Sequence, residues 1–591
     1  MFRQTTDWRS DWRTGWRNGW RNGWRNGWRL EWLLSGLCLA ASSPAIGFWP
    51  FAWGGLALAL VQSHRQGGVI QNFLGGCLLG LTYHAVCLWW FWSLHPLTWL
   101  GFSHWQSLFV AGLAWAIACS YGGILWGCVF AAQALVQASV QALMQRRLKT
   151  TPPGNIGPLI HLLAFPLLWG AMEWSYGLPA IGVPWARLVY SQHALDWARA
   201  CTGTLGLEGF SLLLVAANTL LAVGWLYFSA RPSAPASGIG RFRQKIGVNP
   251  ITCGLLACTL LAIAFQETVG TTDRQGDPRP VSTNPNPSTT RRHQRETPWG
   301  WPGAVAILQG NLTIETIRNH LAATAAAQRA YLHVLASEPW PLGTLVVLPE
   351  EGAIPEVLHD QHLLQSVTVQ RLQALANKKR LYLLVGGSSR PGYRQPLYNV
   401  LLLIAPHQAP QRYRKRRLVP FGETLPFIDQ SPWATALLEQ NGIHLGSSYA
   451  HGPQPPDPLW LQKPHPEESA SGSAQANLVR LGALICFELA YPELAETYRE
   501  TGPAKTILIN SSNLGWFHGN VQMEKQFLAI GQMRAASLRQ PLLISANTGI
   551  SAVIDAQGRI WAHLPNNTAG TILCENGQCH TKSVAPAHQA F

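Results

Sequence analysis

Residues 476–488 read ANLVRLGALICFE. The run from Leu478 to Ile485 is nearly all apolar, broken only by Arg480 and Gly482. A short, almost continuous apolar run is the mark of a strand covered on both faces, as in α/β folds. It ends on Cys486 and, two residues later, Glu488. In such folds the chemistry gathers at the carboxyl ends of strands. The question is therefore what other runs of this kind end on.

Working outward, GAVAILQGN (303–311), GTLVVLPEEG (343–352), RLYLLVGGSS (380–389), YNVLLLIAP (398–406), KTILINSSN (505–513), PLLISANTG (541–549) and SAVIDAQGRIWA (551–562) have the same character. Helical patterns over 313–337, 358–378 and 518–539 lie between them, so the spacing predicts an α/β domain. Glu350 closes one run, and Lys415 lies in RYRKRRLVPFGE (412–423), just after another. A cysteine, an acid and a lysine supply a nucleophile, a base and a cation. A free thiol with a pKa near 8.5 needs a base or a nearby positive charge to react as thiolate, and an ammonium at the reacting centre stabilises a developing oxyanion. Each residue has a bland reading. Cysteine at a strand end is more often a small buried hydrophobe, glutamate a helix cap, and a Lys/Arg run a solvated face.

The first half of the chain is different. Of 591 residues, 47% are hydrophobic and 12% charged, against about 25% charged in a typical soluble domain. Apolar stretches at 30–46, 49–63, 69–93, 105–137, 158–177, 203–228 and 249–267 predict about seven membrane helices, most reaching the ~20 residues a span needs. The first two are short; they form a tight hairpin or else one long broken helix. With the N-terminus inside, the inner segments hold 15 Lys/Arg and the outer loops before the last span hold two, Arg187 and Arg199. That bias predicts a cytoplasmic N-terminus and a catalytic domain on the outer side. The net charge of +15 follows this topology, not a nucleic-acid-binding face, and no nucleic-acid motif is present. Glu173 and Glu208 are acids inside apolar stretches, where charge is costly; each faces the protein interior or the site mouth, or sits hydrated at the headgroups.

Before the first stretch, Trp8, Trp12, Trp16, Trp20, Trp24 and Trp28 are each followed by arginine, and Trp32 continues the ladder. A period of four drifts about 40° per step on a helix, and Gly15, Gly19, Gly23 and Gly27 each cost about 1 kcal/mol there. We read the ladder as a tetrapeptide expansion whose charge anchors the chain at the inner face. The expected segments are a tail at 1–29, a membrane domain at 30–268, a Pro/Thr/Asn-rich linker at 269–300, the α/β domain at 301–570 and a C-terminal tail at 571–591. A second linker, 230–245, joins two spans.

LPEEGAIP (348–355), RYRKRRLVPFGE and ICFE (485–488), in that order, resemble the Glu, Lys and Cys motifs of the nitrilase (carbon-nitrogen hydrolase) superfamily. LVPFGE together with a multi-span N-terminus is similar to the apolipoprotein N-acyltransferase family. ILQGN (307–311), YN (398–399), SSNLGWF (511–517), MRAASLRQPLLISANTGISAV (533–553) and GVPWARLVYSQ (182–192) add to the likeness. The resemblance implies a multi-span α-helical membrane domain carrying an α-β-β-α sandwich of nitrilase type. It implies Glu350 as general base, Lys415 as oxyanion stabiliser and Cys486 as nucleophile. Glu423 and Glu488 match acids lining the site, Trp516 matches an aromatic at its lipid-facing mouth, and Tyr413 and Asn547 match supporting positions. The implied reaction takes an acyl chain from a phospholipid onto Cys486. It then passes the chain to the free amine of a diacylated apolipoprotein, in a bacterial inner membrane with the domain on the periplasmic side. The partners are then phospholipid, apolipoprotein and membrane lipid, with no nucleic acid. TLPFIDQSPWATALLEQ (424–440) reads as a lid or as ordinary packing.

The sequence departs from the pattern in places. Leu514 stands where the family carries an acid, and Glu351 adds a second carboxylate beside Glu350. Residues 565–591 hold no apolar run long enough for the family's last span. Two other readings stay open: a membrane-tethered amidase using water in place of the amine, and an inactive lipoprotein-binding scaffold. Most cysteines fall in apolar spans and suit packing. Cys574 and Cys579 in CENGQC suit a small disulfide loop in an oxidising compartment. No metal-ligand spacing and no cofactor motif is found.

Overall fold

A computed structural model of the chain describes residues 28–229 apart from 67, 149–155, 177–181 and 183. It also describes 297–583 apart from 313–320, 352, 421, 425–430, most of 432–448, 463–477 and 501–503. The ladder before Trp28, the span expected at 249–267, both linkers and most of the expected lid lie outside the described residues. The described residues of Met1–Leu88, Ala116–Glu173 and Ser211–Ile263 form one compact unit. Those of Trp89–Trp115, Trp174–Phe210 and Ala264–Phe591 form the other.

The second unit holds the strands. In chain order they are β1 (Val305–Gln309), β2 (Leu345–Val347), β3 (Val357–His359), β4 (Tyr382–Arg390), β5 (Tyr398–Ile404), β6 (Gln411–Arg414), β7 (Leu459–Gln462), β8 (Leu478–Ile485), β9 (Lys505–Ser512), β10 (Leu542–Ala546), β11 (Ser551–Ile554), β12 (Ile560–Leu564), β13 (Gly570–Glu575) and β14 (Gln578–Ser583). One sheet runs β14-β13-β1-β2-β4-β5-β6 with β3 also on β4, and the other runs β12-β11-β10-β9-β8-β7. Val305, Ile307, Val347 and Leu401 of the first sheet pack with Leu481, Ile485, Ile509 and Val553 of the second in one apolar core. Helices at Leu321–Ser337 and Val367–Lys379 cover the outer face of the first sheet through Ala327, Leu335, Leu372 and Ala376. The helix Val521–Leu538, buried along Met523, Phe527 and Ile530, packs on β10 and β11. The architecture is the expected α-β-β-α sandwich.

Two details depart from the sequence reading. The helix expected at 358–378 begins at Val367, where the Ser366 hydroxyl accepts from the Val369 N–H (3.2 Å). Residues 357–359 are instead a strand, parallel to β4. Residues 571–583, expected in a tail, fall in β13 and β14; β13 pairs with β1 and β14 with β13. Asn576 and Gly577, both at positive φ, make the tight turn such a hairpin needs, and Cys574 and Cys579 are disulfide-bonded across it.

In the helical unit, α1 (Trp28–Ala41) and α2 (Phe51–Gln66) pack on each other, so the first two stretches form a hairpin and not one broken helix. Helices α3 (Val69–Cys87), α4 (His104–Leu148), α5 (Ile156–Ser175) and α6 (Asp196–Ser229) follow. Among the described residues, three helices are long and apolar enough to cross a membrane: Val69–Cys87, His104–Leu143 and Asp196–Leu226. Gly76 and Gly80 of α3 meet Gly127 and Gly123 of α4. A Cβ on Gly76 would fall 2.9 Å from the Gly127 Cα, and one on Gly80 would fall 2.9 Å from the Gly123 Cα. Paired small-xxx-small stripes let helix backbones approach closely in lipid. Polar groups add to the join. The Asn218 side chain accepts from the Leu56 N–H (2.9 Å) and donates to the Ala52 carbonyl (2.7 Å), and buried Glu173 accepts from Trp169 (3.0 Å) and Ser211 (2.5 Å). Glu173 thus faces the interior of its unit.

Candidate active site

Strand register brings the reactive residues together. Parallel strands β8, β9 and β10 end in step, with Ile485 beside Ser511 and Ser512 beside Ala546. The residues that follow, Cys486, Asn513 and Asn547, therefore emerge at one edge. In the other sheet, Ser388 of β4 pairs with Asn399 of β5, and Arg414 of β6 pairs with Val400. The Lys415 N–H then bonds the Asn399 carbonyl (2.8 Å).

Lys415 is fully enclosed. Its ammonium donates to Glu350 Oε1 (3.0 Å) and Glu423 Oε1 (2.9 Å). The Asn399 amide donates to the same two oxygens, each at 2.8 Å. The second oxygens are also used: Glu350 Oε2 accepts from the Asn513 N–H (3.0 Å) and Glu423 Oε2 from the Val419 N–H (2.9 Å). Burial alone would depress the Lys415 pKa, but Glu350 and Glu423 outweigh it and hold the ammonium well above its ordinary range. Burial raises Glu350; Lys415 opposes the rise, and Glu423 and Glu351 add to it.

Cys486 follows β8 with φ 49°, the left-handed region, where a non-glycine residue signals a constrained, often functional turn. The Asn510 amide holds its carbonyl (3.1 Å). Its sulfur hydrogen-bonds the Asn513 backbone and feels Glu350, Lys415 and Glu423. Burial raises the thiol first, Glu350 raises it further, and Lys415 pulls it down. The resting group is a thiol beside the Glu350 carboxyl.

Glu488 does not open onto the site. It is 0% exposed. Its Oε1 accepts from the N–H groups of Arg416 (2.7 Å) and Arg417 (2.9 Å), and its Oε2 from Tyr413 Oη (2.7 Å) and the Ile485 N–H (2.7 Å). This carboxylate ties the Lys415 turn to the Cys486 turn. Tyr413 serves the same tie and also accepts from Arg416 Nε (3.2 Å). Asn547 steadies Asn513: its amide donates to Asn513 Oδ1 (3.3 Å) and to the Leu312 carbonyl (2.8 Å). Trp516 sits in a short turn after β9 and meets Trp99 edge to face at 4.7 Å. Trp185 of GVPWARLVYSQ lies 6.0 Å from Phe487 and 5.3 Å from Trp90, and Trp90 lies 5.0 Å from Phe517. These rings lie on or against the turns that follow β8 and β9 and form an apolar collar there.

Glu350, Lys415, Cys486, Glu423, Glu488, Tyr413 and Asn547 thus meet in one set of contacts, while Trp516 contacts Trp99. Asn399, Asn513 and Asn510 were missed as site residues; the YN pair was noticed, but nothing local marks an asparagine as a bridge between two carboxylates. Among the described residues, no group of three or more His, Cys, Asp or Glu is placed to hold a metal ion.

Residues 305–576 match the family model described as carbon-nitrogen hydrolase, and residues 35–220 match the model of the apolipoprotein N-acyltransferase N-terminal domain. The chain belongs to the apolipoprotein N-acyltransferase family. It is 27% identical to the apolipoprotein N-acyltransferase of Geobacter metallireducens over 90% of this chain and 86% of that one. It is 24% identical to that of Gloeobacter violaceus (89% and 83%) and 25% identical to that of Chlorobaculum tepidum (90% and 87%). Members of this family are enzymes of the carbon-nitrogen hydrolase superfamily, and this chain is one of them.

Proposed function

We propose that the chain transfers an acyl chain from a phospholipid to the free N-terminal amine of a diacylglyceryl-cysteine lipoprotein, through a thioester on Cys486. The observation that carries the reading is a partly buried thiol beside a buried Glu350–Lys415–Glu423 cluster and an aromatic collar. The names of the relatives agree with it.

Glu350 takes the thiol proton as sulfur attacks the ester carbonyl, and Lys415 stabilises the oxyanion. The intermediate collapses, the C–O bond breaks, and Glu350 returns the proton to the departing lysophospholipid oxygen. The acceptor amine then gives a proton to Glu350 as its nitrogen attacks the thioester. The C–S bond breaks, the proton goes back to sulfur, and an amide results. A thioester must be shielded from water until the amine arrives, and the apolar collar serves that need. Glu423 shares Lys415 with Glu350 and fixes its place. The bias of basic residues puts the N-terminus in the cytoplasm and the catalytic unit on the periplasmic side of the inner membrane.

The test is mass spectrometry of purified protein in phospholipid micelles, with and without a diacylated Cys-lipopeptide, for wild type and Cys486→Ala. An acyl mass on the Cys486 peptide, discharged by the lipopeptide and absent from the variant, is expected. A folded wild type that shows neither adduct nor triacylated product overturns the reading.

A further inference from the structure

The helix Val521–Leu538 carries one buried amide that joins two distant segments. Gln526 is 2% exposed. Its Oε1 accepts from the Trp90 indole N–H (2.8 Å), and its Nε2 donates to the Trp185 carbonyl (3.1 Å). Trp90 lies in the short turn Trp89–Leu94 and Trp185 in the turn Pro184–Ala186, and both are buried. A buried indole N–H needs an acceptor, and a buried carbonyl needs a donor. Glutamine offers one of each on a single flat group, so one side chain ties both turns to the helix. All of these residues belong to the unit that holds the strands.

The two indoles pass this order on. Trp185 packs on Phe487 at 6.0 Å, with the ring planes 30° apart, and on Phe527 at 5.8 Å. Trp90 meets Trp185 at 5.3 Å and Phe517 edge to face at 5.0 Å. Phe487 is the residue after Cys486, and Phe517 is the residue after Trp516. Trp90, Trp185 and Gln526 are buried, whereas Phe487 and Phe517 are partly exposed, as Cys486 is. The indole N–H of Trp90 and the Gln526 amide are thus committed inside the cluster. What stays open, one residue along the chain from the nucleophile, is a hydrocarbon ring.

We propose that Gln526 is a positioning residue for the alkyl chain of the acyl donor. It fixes Trp90 and Trp185, and through them the rings of Phe487 and Phe517 on which the chain rests. The proposal rests on the acyl-transfer reading and says what selects its first substrate: a long chain gains from the rings, and a short one does not reach them. The two hydrogen bonds of Gln526 go to Trp90 and Trp185 and not to the Glu350–Lys415–Glu423 cluster. Its effect therefore falls on donor binding and not on the bond-making step.

The test is Gln526→Met, which keeps the length of the side chain and removes both hydrogen bonds. Acylation of Cys486 is followed by mass spectrometry in mixed micelles against the mole fraction of donor, either dipalmitoyl or dibutyryl phosphatidylethanolamine. The KM for the dipalmitoyl donor should rise about tenfold, as expected for two lost hydrogen bonds, with the limiting rate within about twofold of wild type. Both parameters for the dibutyryl donor should stay within about twofold. Trp90→Phe keeps a ring but not the N–H; it should raise the dipalmitoyl KM about threefold in the wild-type background and not at all in Gln526→Met. A merely structural role slows both donors alike. Equal change with both donors overturns the proposal, as does an unchanged dipalmitoyl KM or independent effects of the two substitutions. If Gln526→Met fails to fold, Trp90→Phe decides by the same comparison of donors. If wild type itself forms no adduct with either donor, the acyl-transfer reading fails first, and that result is seen before any variant is compared.

Discussion

Glu488→Gln tests the clamp between the two catalytic turns. The native carboxylate accepts four hydrogen bonds while wholly enclosed. A carboxamide of the same shape keeps one oxygen and places an NH2 group where the other was. If its oxygen stays with Arg416 and Arg417, the NH2 faces Tyr413 and Ile485. The tyrosine hydroxyl can turn and accept; the Ile485 N–H cannot. The opposite orientation sets NH2 against two N–H donors and is worse. The better case leaves one buried N–H unpaired, at about 1–3 kcal/mol. It also turns charge-assisted bonds into neutral ones of roughly half the strength. The sum is about 3 kcal/mol. Because Glu488 joins the Lys415 turn to the Cys486 turn, part of that loss appears as misplacement, and about 1 Å at a reacting centre costs on the order of 100-fold in rate. The assay pairs thermal unfolding in detergent with the rate of Cys486 acylation. Glu488→Gln should be less stable and acylate about 100-fold more slowly. Tyr413→Phe, which removes one donor, should be milder on both. A Glu488→Gln protein with wild-type stability and a rate within twofold of wild type would refute the clamp.

Three further outcomes follow from the structure. Because burial holds Glu350 above the ordinary carboxylate range, acylation of Cys486 should fall with acid through a limb lying above ~4.3; a rate–pH profile with its acid limb at or below that value sinks the assignment of Glu350 as base. Glu524 is buried with Oε2 unpartnered, and burial raises it to about 7. Its folded pKa exceeds its unfolded one, so its stability contribution is full at low pH and is lost as pH rises through about 7. Glu524→Gln should therefore raise stability by about 1–2 kcal/mol at pH 8.5, a figure reduced for residual contact with water, and change little at pH 5, as read by thermal unfolding at the two pH values. Gly80→Leu puts side-chain carbon where the Gly123 Cα stands 2.9 Å from a Cβ, so α3 and α4 must separate; gel filtration in detergent should show lost or aggregated protein, and a monodisperse product with wild-type unfolding would refute that close crossing.

The parts of the fold legible in the sequence were those with a strong local signal. β8 and β9 are long apolar runs covered on both faces, and their periodicity needs no knowledge of a partner. β3, β6 and β14 are short or charged. QRYR (411–414) reads as a solvated face until its pairing with β5 turns Tyr413 inward and leaves Lys415 at the strand end. The start of the helix at Val367 depended on Ser366 as cap, a signal weaker than the apolar residues before it. The same logic divides the site. Cys486, Glu350 and Lys415 stand out because reactive groups at the ends of apolar runs are conspicuous. Asn399, Asn510 and Asn513 look like ordinary turn residues. Their roles arise only from register, which sets Ile485 beside Ser511 and Ser388 beside Asn399 across large sequence separations.

The charge balance of the cluster bears on how the thiol is used. One ammonium lies between two carboxylates, with a third carboxylate beside them. A thiolate at Cys486 would add negative charge to a region that already carries an excess of it, in partly dehydrated surroundings; burial, Glu350 and Glu423 raise the thiol against the pull of Lys415 and the Asn513 backbone. A site meant to store a thiolate places it near unbalanced cations, as in oxidoreductases with strongly depressed cysteine pKa values. Here the lysine is already matched. Its ammonium is held by two acids, so it cannot swing to the sulfur without breaking both pairs. On the proposed acyl-transfer reading, sulfur then loses its proton in the attack itself, to the Glu350 carboxylate, when an ester carbonyl is present to take up the charge. The cost is slower reaction with stray electrophiles. The gain, on that reading, is a nucleophile that stays largely neutral, and so protected, until its substrate is in place.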